Sequence, residues 1–183
     1  MAEMEKKHIV LGITGGIAAY KSAMLCSMLV QNGYEVKVVM TENSQEFVTP
    51  LTFKTLSRND VMTSLWNQEV WRPGHVAWAD WADLLLIVPA TANIIGKIAN
   101  GIADDALSTL AICMDADKIM IVPAMNPAMW HNVFVQKNVA VLKENNIHFC
   151  GPADGHVACG AGGSGRMEEP QVIFDAVEKY FGK

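Results

Sequence analysis

Two short apolar runs, Asp83 to Val88 and Lys118 to Val122, each stop at a proline and reach an asparagine within four residues, in the segments PATAN (Pro89 to Asn93) and PAMNPAMW (Pro123 to Trp130). Proline cannot donate to a hydrogen-bonded ladder, so a core strand gains nothing from such sequences and must end there. Short, wholly apolar runs bounded in this way are the signature of strands buried on both faces, as in a parallel sheet. The polar residues then lie just past the carboxyl ends of the strands, where open α/β sheets bind their ligands. One pattern therefore constrains both the fold and the place to look for a site.

The rest of the chain repeats this alternation. His8 to Thr14 reads as a strand and Ile17 to Gln31 as a helix, with Met24, Leu25, Met28 and Leu29 on one face and Asn32-Gly33 at its end. Glu35 to Thr41 is a strand, about Pro50 to Leu56 a helix, and Val61 to Leu65 a short strand. Trp66 to Gly74, with two tryptophans, reads as an irregular surface loop or subunit contact. Helix-like stretches Ala92 to Ala99 and Asp104 to Met114 follow the first proline-ended run, and about Asn132 to Asn145 follows the second. A last strand, Ile147 to Cys150, leads into the glycine-rich stretch Gly151 to Met167 and a helix from Pro170 to Tyr180. Repeated βαβ units predict an α/β fold: a single-domain, doubly wound parallel sheet over residues 1–183 with helices on both faces.

Composition narrows the partners. With 51% hydrophobic and 18% charged residues the chain is more apolar than an ordinary domain, which predicts surface buried between subunits and hence a homo-oligomer. A net charge of -5 with no basic cluster beyond Lys6-Lys7 argues against nucleic acid. No apolar run approaches the roughly 20 residues of a membrane span. Ile9 to Tyr20 contains Gly12, Gly15 and Gly16 and runs straight into an amphipathic pattern, so it is not a signal segment. Cys26, Cys113, Cys150 and Cys159 show neither a C-x-x-C pair nor metal-like spacing with histidine, which predicts a reducing, cytoplasmic setting and no metal.

Five segments carry candidate chemistry. GITGGIAAYK (Gly12 to Lys21) is a strand-to-helix turn whose glycines let backbone N–H groups approach a phosphate; the spacing G-x-x-G-G disfavours a dinucleotide, and a ligand-free tight turn is the plainer alternative. Thr41-Glu42-Asn43-Ser44 ends the second strand with hydroxyls and a carboxylate, though Thr41 or Ser44 can equally cap the next turn. Thr91, an N-cap candidate for the helix from Ala92, offers a hydroxyl beside the Asn93 carboxamide. Gly155 to Met167 holds five glycines in 13 residues around Cys159 and reads as a substrate flap, with His156 as a competing base; Cys26 and Cys113, in apolar runs, read as buried structural thiols. His75 follows Pro73-Gly74 on a loop, where a histidine is usually just solvated, although imidazole is suited to proton transfer near neutral pH. Asp104-Asp105 reads as a helix start, and His131 and His148 as solvated or edge residues.

Jointly, TGGIAAYK, MTENSQEFVTPLTF (Met40 to Phe53), the His75 segment ending in WAD, PATANIIGKIANGIADDALST (Pro89 to Thr109), PAMNPAMW and ACGAGGSGRMEEP (Ala158 to Pro170) resemble the flavin-dependent cysteine decarboxylases, from Ile9 to about Val177. The resemblance implies a Rossmann-like or flavodoxin-like fold and FMN near Thr14, Gly15, Gly16, Thr41, Ser44, Thr91, Ala92, Asn93 and Ala124. It further implies His75 and Cys159 as catalytic residues, Cys159 as the proton donor, and Asn126, Ala158 and Met167 as substrate contacts. Within the family it points to the branch acting on 4'-phosphopantothenoyl-L-cysteine in coenzyme A biosynthesis. There a thioaldehyde forms, CO2 leaves, and the enethiolate is reduced to 4'-phosphopantetheine. It also implies a homotrimer, or an assembly of trimers, with the flavin at a subunit boundary. Gly16 stands where some relatives have serine. A regulatory flavoprotein subunit, a flavin prenyltransferase of similar fold and an NAD-dependent dehydrogenase are the competing readings. They are disfavoured in turn by the joint presence of His75, Asn126 and Cys159, by PAMNPAMW, and by the glycine spacing.

Overall fold

All seven residues of the strand Leu84–Ala90 are buried, as its uninterrupted apolar sequence demands, and the sheet is built around it. The computed structural model describes residues 6–66, 73–156 and 162–182. In chain order its elements are β1 (His8–Ile13), α1 (Ala19–Gln31), β2 (Glu35–Met40), α2 (Pro50–Ser57), β3 (Val61–Met62), α3 (Gly74–Trp81), β4 (Leu84–Ala90), α4 (Ala92–Ala99), α5 (Ala106–Ile112), β5 (Ile119–Pro123), α6 (Pro127–Trp130), α7 (Val133–Glu144), β6 (His148–Phe149), β7 (Ala153–His156), β8 (Gly162–Arg166) and α8 (Pro170–Tyr180). The first six strands pair in the order β3-β2-β1-β4-β5-β6, all parallel. This is the doubly wound arrangement, with its reversal of strand order between β1 and β4.

Alternate residues of each strand feed opposite layers. Ile9, Leu11 and Ile13 of β1 pack with Leu25 and Leu29 of α1, Phe53 of α2 and Ile173 and Val177 of α8. Val10, Leu85 and Ile87 pack with Ile94, Ile95 and Ile98 of α4, Leu107 and Leu110 of α5 and Val139 and Leu142 of α7. Each such side chain stabilises the fold by about 1.5–3 kcal/mol. Gly12 makes room for this packing, because a Cβ there would lie 2.6 Å from Leu107 Cδ1 and push that side chain aside.

The helix starts follow local chemistry. Asp105 and Ser108 form a reciprocal capping box at α5, Asn132 caps α7, and prolines open α2, α6 and α8. Asp104 and Asp105 also pair with Lys97 at 2.6 and 2.7 Å, which bears out their structural reading.

Where it is described, the glycine-rich stretch forms an antiparallel hairpin of β7 and β8. Two expectations are corrected. His75 lies in the first turn of α3, since Pro73 takes the N-cap position and opens a helix instead of breaking one. Cys113 is exposed, because it falls at the C-terminal end of α5 where the apolar face has run out, whereas Cys26 is buried.

Candidate functional site

The reversal of strand order places the ends of β1 and β4 side by side, and Thr14 binds them together. Its hydroxyl donates to the Pro89 carbonyl at 2.7 Å and accepts from the Thr91 amide at 3.1 Å, with the residue 2% exposed. The turn after β1 and the start of α4 therefore open in register. Beside them, the loop after β2 presses against the turn so closely that a Cβ on Gly15 would lie 2.5 Å from Asn43 Cβ. Gly16 is different: its Cβ would meet only Thr91 Cγ2, at 3.9 Å. A small side chain at that position would fit without a clash.

These ends form one wall of a cavity of about 480 Å³. Gly15, Gly16, Ile17, Ala18, Tyr20 and Lys21 line it from the first turn and α1, with Thr91 at the end of β4. Ala124, Met125, Asn126 and Met129 line it from β5 and α6, and Gly165, Arg166 and Met167 from the hairpin. The two last groups are joined by backbone: the Met125 amide donates to the Gly165 carbonyl at 2.8 Å. Gly165 has φ +146, and a Cβ there would lie 2.5 Å from the Met125 carbonyl oxygen, so only glycine lets the hairpin dock. Asn126 Oδ1 accepts from the Ala128 amide at 2.8 Å, which fixes the carboxamide at the cavity wall. Met167 is 2% exposed and serves both the core and the cavity.

Polar groups near the first wall suit a phosphate-bearing flavin. The Thr41 hydroxyl is buried with no hydrogen-bond partner among the described residues, a costly state unless a ligand completes it. Thr91 occupies the N-cap position of α4, yet its side chain makes no capping bond, contrary to the simplest reading of PATAN. The Gly15–Ala18 turn lines the cavity, with no Cβ at Gly15 or Gly16 to block approach to its backbone. Ser44, by contrast, is fully buried and its hydroxyl donates to the Thr41 carbonyl at 2.6 Å, so it holds the loop. No cluster of metal-ligating side chains occurs among the described residues.

Of the residues singled out in the sequence, Gly15, Gly16, Thr91, Ala124, Asn126 and Met167 come together at the cavity. Thr14, Thr41, Ser44, Ala92 and Asn93 stand behind or beside its wall and do not line it. Cys159 and Ala158 lie outside the described residues. His75 is half-buried and does not line the cavity of its own chain. Its helix is anchored instead at the far end, where Lys37 Nζ lies 4.1 Å over the Trp81 ring and 5.4 Å over Trp78, and Trp81 stacks on His8 at 4.5 Å. Two of the three described thiols are unreactive by environment: burial pushes Cys26 up to about 12, and burial with the Glu168 charge pushes Cys150 up to about 11. Lys21, Arg166, Tyr20 and Met129 were not singled out from sequence. The spacing of Ile17, Tyr20 and Met24 was the available signal, since Ile17 just before α1 and Tyr20 and Met24 on it stay 58%, 55% and 56% exposed.

The sequence matches the family model described as Flavoprotein over residues 1–182. The chain belongs to the flavoprotein family. Curated relatives of this flavoprotein include the coenzyme A biosynthesis bifunctional protein CoaBC of Bacillus subtilis, 45% identical over 181 residues, which cover 97% of this chain and 44% of that protein. The CoaBC protein of Escherichia coli K12 is 39% identical over 176 residues, 96% of this chain and 43% of its own length. The chain thus spans less than half the length of these relatives. Among solved structures, a PPC decarboxylase mutant complexed with pantothenoylaminoethenethiol superposes with a TM-score of 0.87 at 31% identity, covering 98% of this chain and 100% of that one. The FMN binding protein AtHal3 gives 0.83 at 31% identity, covering 97% and 98%. The parallel sheet with helices on both faces is the fold of these flavoproteins.

Proposed function

We propose that this flavoprotein binds FMN and decarboxylates 4'-phosphopantothenoyl-L-cysteine to 4'-phosphopantetheine. The observation that carries the reading is the cavity at the strand-order reversal, with the Gly15-Gly16 turn on one wall and the Asn126 carboxamide on the other. Its support is the close likeness to the PPC decarboxylase structure holding a substrate-like enethiol and to the CoaBC proteins of coenzyme A biosynthesis.

Bound FMN would supply a reversible two-electron sink, without which loss of CO2 from a simple amino-acid carboxylate leaves an unstabilised carbanion. The Gly15–Ala18 amides, Thr41, Thr91 and the start of α4 at Ala92-Asn93 would hold it, with Thr14, Ser44 and Ala124 shaping the wall. Asn126 donates its amide protons to the substrate carboxylate and orients it. His75 takes a proton in the oxidative half of the reaction, and Cys159 returns one to carbon at the end. Ala158 and Met167 contact the substrate from the flap, residues 155–167.

Because His75 is not at the cavity of its own chain, the complete site takes it from a neighbouring subunit of a homotrimer. Exposed Ile17 just before α1, Tyr20 and Met24 on it, and some of Trp66, Trp71, Trp78 and Trp81 supply apolar surface for such an interface. Trp66 alone is 88% exposed, while Trp71 lies outside the described residues. The soluble assembly works in the cytoplasm, in keeping with the absence, among the described residues, of any helix long and apolar enough to cross a membrane.

The purified protein should be yellow, release CO2 from phosphopantothenoylcysteine and yield 4'-phosphopantetheine. A yellow, folded protein that releases none would defeat the reading. The Cys159→Ser variant separates the two halves: it should release CO2 and give a product lacking two hydrogens by mass spectrometry. Ordinary product at the parent rate would remove Cys159 as proton donor.

A further inference from the structure

The two walls of the cavity each contribute one cation, and a single carboxylate joins them. Lys21 stands on α1 and Arg166 at the end of β8; both line the cavity, whose lining contains no acidic residue. Glu169, in the N-cap position of α8, accepts from Lys21 Nζ through both carboxylate oxygens at 3.0 and 3.1 Å and also pairs with Arg166. The Lys21 side chain is 14% exposed and that of Arg166 41%, so the pair forms a graded rim, one cation inside and one at the mouth. Two cations face one carboxylate, and the rim keeps an uncompensated positive charge. The Lys21 ammonium, with Arg166 beside it, holds the Glu169 carboxyl below the usual carboxylate range, so it stays ionised and acts as a resident anion.

We propose that Lys21 and Arg166 recognise the phosphate monoester of the substrate, with Glu169 occupying their hydrogen bonds until that phosphate arrives. This inference rests on the decarboxylase reading and adds to it the group that selects phosphorylated over unphosphorylated substrate. A phosphate monoester offers three acceptor oxygens and close to two negative charges. An arginine fork engages two of those oxygens and a lysine a third as a point charge. The flavin carries the same chemistry, but the Gly15–Ala18 turn and the Thr41 hydroxyl, buried with no partner among the described residues, already provide for it. Arg166 is placed for the substrate by its neighbour: Gly165 is hydrogen-bonded to Met125, next to the Asn126 that meets the substrate carboxylate. Asn126 and Arg166 thus address two anionic groups of one extended molecule from adjacent backbone positions.

The test measures binding of 4'-phosphopantetheine and of pantetheine to the FMN-loaded protein through the change in flavin absorbance. Charge-assisted contacts of this kind predict that the parent prefers the phosphorylated ligand on the order of 100-fold, and that Arg166→Gln or Lys21→Gln cuts the preference to roughly tenfold. Arg166→Lys should recover part of it, and added salt should narrow it in the parent. Glu169→Gln removes the competing anion and should tighten phosphopantetheine binding several-fold without tightening pantetheine. If Glu169→Gln loosens both ligands alike, and the two cation variants do the same, the trio is a structural latch and the proposal fails. It also fails if the cation variants lose FMN, since the cations then hold the flavin's phosphate. A parent that shows the phosphate preference yet releases no CO2 would overturn the decarboxylase reading and leave the phosphate site standing.

Discussion

The two walls of the cavity are held by different means. The first, formed by the ends of β1 and β4, is part of the core: Thr14 bridges the strands, Gly15 is pressed on Asn43, and the strands beneath are buried on both faces. The second consists of the segment Pro123 to Met129 with the hairpin leaning on it, and a backbone hydrogen bond together with a glycine contact joins the two. A wall made by the sheet is rigid before any ligand binds and suits a cofactor that stays. A hairpin that leans on this wall from outside the sheet is not part of the core layers, and it suits a substrate that comes and goes.

The largest expected effect breaks the idea that these two walls suffice. His75→Asn should leave the protein folded and yellow but lower CO2 release by about 10²–10⁴-fold, the usual contribution of a positioned acid or base. Asn126→Asp should be as inactive for another reason, because its carboxylate repels the substrate's own. If His75 reaches the cavity from a neighbouring subunit, co-expressing the two variants should restore about a quarter of parent activity, the share of sites with both residues intact. Mixed oligomers that stay dead would place His75 and Asn126 in one site of one chain.

Next, Gly15→Ala and Gly16→Ala should part company. The first forces a methyl to within 2.5 Å of Asn43 and should cost about 1–3 kcal/mol of stability with most of the FMN; the second meets nothing closer than 3.9 Å and should keep both. Thermal unfolding and flavin content per chain measure this directly. Equal behaviour of the two would show that the first wall is not packed as described.

Gly165→Ala sharpens the contrast from the other side. It should undock the hairpin, raise KM for the phosphorylated substrate about tenfold and leave flavin content unchanged, since the strain falls on the second wall only. Loss of FMN in this variant would mean that the walls are not independent.

The smallest effect concerns Thr41→Val. Removing a buried hydroxyl that has no partner among the described residues should leave the apoprotein as stable as the parent, or more stable by about 1 kcal/mol, while weakening FMN several-fold. Destabilised apoprotein with unchanged FMN affinity would show that the hydroxyl serves the fold.

Much of this was legible in the chain because burial on both faces writes itself directly into sequence. Leu84 to Val88 and Ile119 to Val122 can be nothing but central strands, and Pro123 marks the end of the second; Pro89 does not end the first, because β4 shifts register between Ile87 and Ala90 and carries the proline where the ladder needs no donor from it. The prolines that open α2 and α8, and the helix start at Asp104-Asp105, were legible for the same local reason. Pro73-Gly74 misled, because the same residues that end structure can begin a helix when an apolar segment such as Val76 to Trp81 follows.

The sequence by itself determined the strand and helix alternation, the glycine turn and the proline-ended edges, all of them local or set by the period of burial. Only the tertiary structure decided that Ala153–His156 and Gly162–Arg166 pair as a hairpin, since glycines carry no side-chain alternation and the docking surface comes from Met125, far away in sequence. It alone brought Lys21, Arg166 and Glu169 together, and it alone set His75 apart from the cavity. Such pairings depend on where the sheet delivers chain segments distant in sequence, and no local pattern of residues encodes a long-range contact of that kind.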